Sequence, residues 1–172
     1  MSTPQSYDEL FPGRFLKAGL LRGKPFTLTI AKVETETFGD QGKDDRGNQK
    51  PDKIQGIFTF KETPKQFALN GTNGQCMRAM FGDEVQADWI GKRVTIFPTT
   101  VRMYNMEEKC MEDRPCIRVK GSPDIAKTFT VTVRLHKKKP FPMTMEKTGG
   151  DVTPDAGREL EEGEDREPGA EG

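Results

Sequence analysis

The sequence predicts a mainly β fold: a partly open five-stranded barrel in the order β-β-β-α-β-β, with an extra C-terminal strand and an N-terminal arm carrying a short helix. Three observations predict it. Apolar side chains recur with period two in six stretches, one helical stretch falls between the third and fourth of them, and Gly, Pro or charged runs separate neighbours.

The elements follow in chain order. From Tyr7 to Gly23, Leu10, Phe11, Phe15, Leu16, Leu20 and Leu21 are broken by Pro12-Gly13, the pattern of an arm followed by a short helix on the body. Phe26, Leu28 and Ile30 then alternate with Thr27, Thr29 and Ala31, a half-buried strand, and Lys32-Val33 breaks the parity as a bulge would. Residues 39–53 form a polar, Gly-rich loop. The second strand sets Ile54, Phe58 and Phe60 on one parity and Gln55, Ile57, Thr59 and Lys61 on the other. Glu62 to Lys65 turns the chain into a short third strand, Gln66 to Asn70.

Gly71-Thr72-Asn73 opens a helix whose Cys76, Met77, Met80 and Phe81 share one side and which Gly82 closes. Val85, Trp89 and Ile90 form a second short turn, with Trp89 as a core plug. The fourth strand starts at Lys92, is interrupted by Pro98 and resumes over Val101 to Tyr104. Asn105 to Pro115 reads as a charged loop, Cys116 to Lys120 as the fifth strand and Phe129 to Leu135 as the sixth, followed by Lys137-Lys138-Lys139 and a Pro-rich exit. Three strands, one helix and two closing strands is the order of the OB-fold, whereas a sandwich would read as strands throughout. The domain division expected is an arm over residues 1–25, a barrel over 26–145 and an acidic, disordered tail over 146–172.

Charge is distributed unevenly. Residues 151–172 hold nine acids against two bases, a net of −7, which leaves +7 on the first 150 residues. With only Val152, Ala156, Leu160 and Ala170 as apolar side chains, that segment cannot bury enough surface to offset the entropy of ordering. An acidic tail on a basic body either solvates the protein or competes with an anionic ligand for the body. No run of 18 apolar residues is present, no secretory signal is visible at the N-terminus, and Cys76, Cys110 and Cys116 are spaced as free thiols; a cytoplasmic protein is expected.

The inventory for catalysis is thin. His136, the single histidine, sits beside a lysine run on the exposed parity of the sixth strand. No paired C-x₂-C, no G-x-x-x-x-G-K-[ST] and no G-x-G-x-x-G occurs, so neither a metal nor a nucleotide cofactor is expected and the reading is a non-enzyme. A metal-dependent hydrolase would have to assemble its site from scattered carboxylates.

What the sequence does supply is chemistry for single-stranded nucleic acid, in which cations track phosphates and aromatic faces stack bases. With Val94 and Ile96 as the core pair, Phe97 points outward. With Val101 and Met103 inward after Pro98, Arg102 and Tyr104 also point outward. Arg118 and Lys120 leave the fifth strand on the same side as each other, Lys61 leaves the second, and Lys32 and Lys65 are neighbours. Phe58, Phe60 and Phe67 belong to the interior.

Leu69-Asn70-Gly71-Thr72-Asn73, Phe81-Gly82-Asp83, Asp88-Trp89-Ile90-Gly91-Lys92-Arg93-Val94-Thr95 and Ile117-Arg118-Val119 resemble a pattern of small phage and prophage proteins. Phe15-Leu16-Lys17-Ala18 and Gly23-Lys24 extend the resemblance over roughly residues 14–120. In architecture the chain also resembles phage and bacterial single-stranded DNA-binding proteins, which join an OB-fold to an acidic C-terminal tail. Such tails end in an aromatic tip that docks partners, whereas this one ends Gly169-Ala170-Glu171-Gly172. The resemblance implies a protein that coats single-stranded DNA during replication or recombination with little sequence preference, with replication or recombination proteins as further partners. The alternative is an OB-fold module that recruits or blocks a host or phage enzyme, for which the Met-bearing stretch 105–115 is suited.

Overall fold

The computed structural model describes residues 13–39, 42–44 and 46–149. The expected arm before residue 13 and the acidic stretch 151–172 lie outside them. Strands β1 (Phe26–Phe38), β2 (Lys53–Phe60), β3 (Gln66–Leu69), β4 (Arg93–Asn105), β5 (Cys110–Ser122), β6 (Phe129–Val133) and β7 (Phe141–Lys147) build one mixed sheet in the order β3-β2-β1-β4-β5-β7-β6. The fold is mainly β. Helix α1 (Gly71–Phe81) follows β3, and single turns occupy Ala18–Leu21 and Val85–Trp89.

β1 belongs to both halves of the sheet. Its residues 26–29 pair with β4, and residues 30–38 pair with β2. The register shifts between Ile30 and Lys32, at the expected parity break, and the bulge bends the strand so that the sheet curls over its own inner face. That face buries Leu28, Ile30, Phe58, Val94, Ile96 and Val119. Phe58 meets Phe60, Phe67 and Trp89 edge-on at ring separations of 6.3, 6.3 and 6.0 Å. Trp89 is buried as expected, and its indole N–H donates to the Gly82 carbonyl at 2.9 Å.

Among the described residues β3 and β5 do not pair with each other, so the sheet is not a closed barrel. The N-terminal segment runs between them: the Leu16 N–H donates to the Gln66 carbonyl at 2.7 Å, and the Gln66 N–H donates to the Arg14 carbonyl at 2.8 Å. The short helix expected here is one 3₁₀ turn, and Leu16, Leu20 and Leu21 are buried in the main core.

Helix α1 is fastened by two amide side chains that imitate a strand neighbour. The side chain of Asn70 caps the helix by accepting from the Asn73 N–H at 2.9 Å. The fully buried Asn73 amide donates to the Ile117 carbonyl at 2.9 Å and accepts from the Val119 N–H at 3.2 Å. Gln75 does the same to Arg134, donating to its carbonyl at 2.7 Å and accepting from its N–H at 2.8 Å.

Three expectations are corrected. Pro98 does not interrupt β4, because β1 stops pairing at Ile96 and the missing N–H costs no second ladder. Residues 105–115 are not a loop: β4 and β5 pair without a break from Ile96 and Val119 to Asn105 and Cys110, leaving only 106–109 as a turn. This hairpin projects past the core with both faces in solvent, so it lacks apolar alternation. The Pro-rich exit is β7, whose Met145 is fully buried, and the body extends past residue 145 to Thr148, which hydrogen-bonds Thr95 through its hydroxyl at 2.7 Å. In β2, Ile54 is 71% exposed where the hairpin outruns the core, and Ile57, flanked by Glu34 and Ala68, is 2% exposed.

The connection from β5 to β6 is held by an ion pair. Asp124 accepts from the Arg93 N–H at 2.7 Å and from the Arg93 guanidinium at 2.6 and 3.1 Å. Those guanidinium hydrogen bonds, with the backbone N–H, hold its carboxyl below the ordinary 3.8. A depressed carboxyl contributes stability that is complete above the ordinary value and fades as pH falls through the lower, folded one. Asp124→Asn is therefore expected to cost about 1 kcal/mol at pH 7, near the upper end for a pair that solvent still reaches. The variant's midpoint should converge on the parent's in urea titrations as the pH falls through the lowered, folded value; an equal deficit at every pH would show that the charge is not responsible.

Candidate nucleic-acid interface

The unbroken β4–β5 ladder decides which side chains share a face. Counting through Pro98, Phe97 stands opposite Arg118, and Thr99, Val101 and Met103 follow it on one face. Pro98, Thr100, Arg102 and Tyr104 lie on the other, opposite Ile117, Pro115, Asp113 and Met111. Phe97 and Tyr104 therefore occupy opposite faces, which corrects the expectation of one shared outward set. Pro98 leaves the parity of the strand unchanged, so the faces on either side of it are continuous.

Phe97 is half-buried beside a cleft of ≈ 580 Å³ whose apolar walls are Phe97 itself, Pro25, Pro98, Pro142 and Met143. Lys120 and Glu146 also line it, 3.7 Å apart. Both side chains keep substantial exposure (39% and 51%), so the pair is screened and exchangeable. Arg118 emerges next to the ring. Burial pushes the Cys76 thiol of α1 up to about 11, with the positive charge of Arg118 acting against it. The proline wall from β7 was missed in the sequence; its signal was the alternation of Phe141, Met143 and Met145 through Pro142.

The remaining expected residues lie elsewhere. Arg102 and Tyr104 are exposed towards the end of the projecting hairpin, with Arg102 opposite Asp113. Lys32 is on the outer side of β1, paired with Glu34 at 2.7 Å. Lys61 is exposed just after β2, its N–H donating to the Thr29 carbonyl. The Lys65 ammonium donates to the Gly13 carbonyl at 2.8 Å. The eight residues thus form three groups: Phe97 and Lys120 lining the cleft, with Arg118 opposite Phe97 on β5, Arg102 and Tyr104 on the hairpin, and three lysines on the β1–β2–β3 side. Only the first combines an aromatic face, cations and a concave surface.

Among the described residues no three His, Cys, Asp or Glu side chains gather as metal ligands, and no helix is long and apolar enough to cross a membrane. His136 is exposed in the turn after β6, and all three cysteines are free. Comparison with protein-family models, with curated proteins and with solved structures finds no match for this chain, so the interface rests on its own geometry.

Proposed function

We propose that the protein binds single-stranded DNA, with one base stacked on Phe97 in the Pro25–Pro142 cleft and phosphates held by Arg118 and Lys120. The observation that carries this reading is the cross-strand pair of Phe97 and Arg118 beside a proline-walled cleft. The strand order β3-β2-β1-β4-β5 supports it, since that is the OB order opened between its two closing strands. The charge partition supports it too: a −7 tail on a +7 body competes with phosphate for the same cations. In this reading a phage-encoded protein coats exposed strands in the host cytoplasm during replication or recombination, without chemistry of its own.

Fluorescence anisotropy with a labelled oligo-dT of about 30 nucleotides and an equal-length duplex tests it. The single strand should be preferred, and Phe97→Ala should weaken it about thirtyfold, the middle of the range for one base stack. Arg118→Ala should reduce the salt slope by about one, and removing residues 151–172 should tighten binding. Tyr104→Ala, on the opposite face, should stay within about twofold, since a ring outside the stack forfeits none of that energy. No single-strand preference at low salt would overturn the reading. One observation favours a second reading, a protein-interaction module: Met103, Tyr104, Met106 and Met111 are all exposed on the projecting hairpin. Binding of a partner protein that is lost in a Met106→Ser, Met111→Ser double variant, with no DNA affinity in the parent, would select it.

A further inference from the structure

The sheet has two edges. At β3 the N-terminal segment already engages Gln66 on both its N–H and its carbonyl. At β6 the pairing with β7 fixes which backbone groups face outward. Thr132 stands opposite Pro142, which has no N–H, so that pair cannot exchange two ladder bonds. The bonded pairs are therefore Phe129 with Met145, Val131 with Met143, and Val133 with Phe141. Neighbouring contacts agree: the Lys147 N–H turns towards β6 and donates to the Thr128 hydroxyl at 3.0 Å, while the Thr148 N–H turns towards β5 and donates to the Ser122 carbonyl at 3.3 Å. Thr130 and Thr132 consequently aim both N–H and C=O away from β7, into solvent, and both residues are exposed. Two residues further on, the same outward pair on Arg134 is taken by Gln75.

The sequence of this edge offers little protection. Residues 129–133, Phe-Thr-Val-Thr-Val, contain no proline, glycine, charge or bulge. They are also self-complementary. Laid antiparallel on a second copy about Val131, Thr130 faces Thr132 of the copy in two bonded pairs, and Phe129 faces Val133 beneath them. The same register sets Lys127 opposite Leu135 and Arg134 opposite Thr128, so no cation directly faces another.

We infer that two copies of this chain associate edge to edge through β6, about a two-fold axis at Val131, with four backbone hydrogen bonds. The strand is short, so the dimer is a weak one, with a Kd near 10⁻⁵ M as an order-of-magnitude figure. Lys127, Arg134 and Lys137–Lys139 carry positive charge to both sides of the contact, so salt strengthens it, opposite in sign to the salt response of DNA binding.

Sedimentation velocity on the full chain from about 2 to about 200 µM, at two salt concentrations, tests this range. A monomer–dimer equilibrium that tightens with salt is expected. Thr132→Pro removes an outward donor and no β6–β7 bond, and Thr130→Lys places a charge on the edge; each should weaken the dimer at least about tenfold, or roughly 1.4 kcal/mol. If Thr132→Pro lowers the melting temperature, Thr130→Lys decides. A chain that stays monomeric at the highest concentration overturns the inference, as does a dimer that Thr130→Lys leaves intact.

Discussion

Gly121→Ala is expected to destabilise the protein by about 3 kcal/mol or more, at the top of the range for overpacking. A Cβ at Gly121 would overlap the Glu146 carbonyl oxygen and lie 2.7 Å from both the carbonyl carbon and the amide nitrogen of Glu146. All three are backbone atoms, so no side chain can swing aside. This is where β5, bulged against Thr95, meets β7 in parallel register, Gly121 beside Glu146 and Ser122 beside Lys147. Relief requires β7 to move away, which draws Met145 out of the core, opens the Thr95–Thr148 contact and widens the Phe97 cleft. Urea unfolding should show the loss, and amide exchange should accelerate first in β6 and β7. Gly56→Ala is the control: its new Cβ would meet only the Leu69 side chain at 3.8 Å, and a change within about 0.5 kcal/mol is expected. Parental stability in Gly121→Ala would mean that β7 does not pass that close.

Asn73→Ala is expected to cost a similar amount, about 3 kcal/mol, for a different reason. The side chain is wholly buried and satisfies two β5 backbone groups at once. Truncation leaves the Ile117 carbonyl and the Val119 N–H without partners, at about 1–3 kcal/mol each when water cannot enter. Asn73→Asp should not rescue: it keeps an acceptor for Val119, turns a carboxylate oxygen towards the Ile117 carbonyl, and buries a charge. Gln75→Ala, whose bonds to Arg134 are exposed, should lose only about 1 kcal/mol. Arg118 lies between the two residues that Asn73 holds, so Asn73→Ala should also weaken oligo-dT binding at temperatures where the variant is folded. Thermal melts that rank Gln75→Ala below Asn73→Ala would locate the helix fastening at the wrong amide.

Much of the fold was legible in the sequence because its signals are local. Period two marked β1, the core of β2 and the start of β4; the Lys32-Val33 break marked the bulge; Asn70 to Gly82 marked the helix. Those patterns depend on residues within a few positions of one another. The hairpin over 105–115 was illegible because neither of its faces is buried there, so no apolar alternation reports it. β7 was hidden by Pro142, although beside β6 the residue opposite Thr132 needs no N–H.

By itself the sequence determined the residue types available to a site, the separation of a −7 segment from a +7 body, and the class of fold. Only the tertiary structure decided how they combine. It put Phe97 with Arg118 and Lys120 and left Tyr104 on the opposite face, because strand pairing carries parity straight through Pro98. It brought Pro142 to Pro25, and Asn73 across 44 positions to Ile117. Such contacts are set by where the sheet curls and which strand docks on which edge, and that is decided by packing of the whole core rather than by any short stretch of chain.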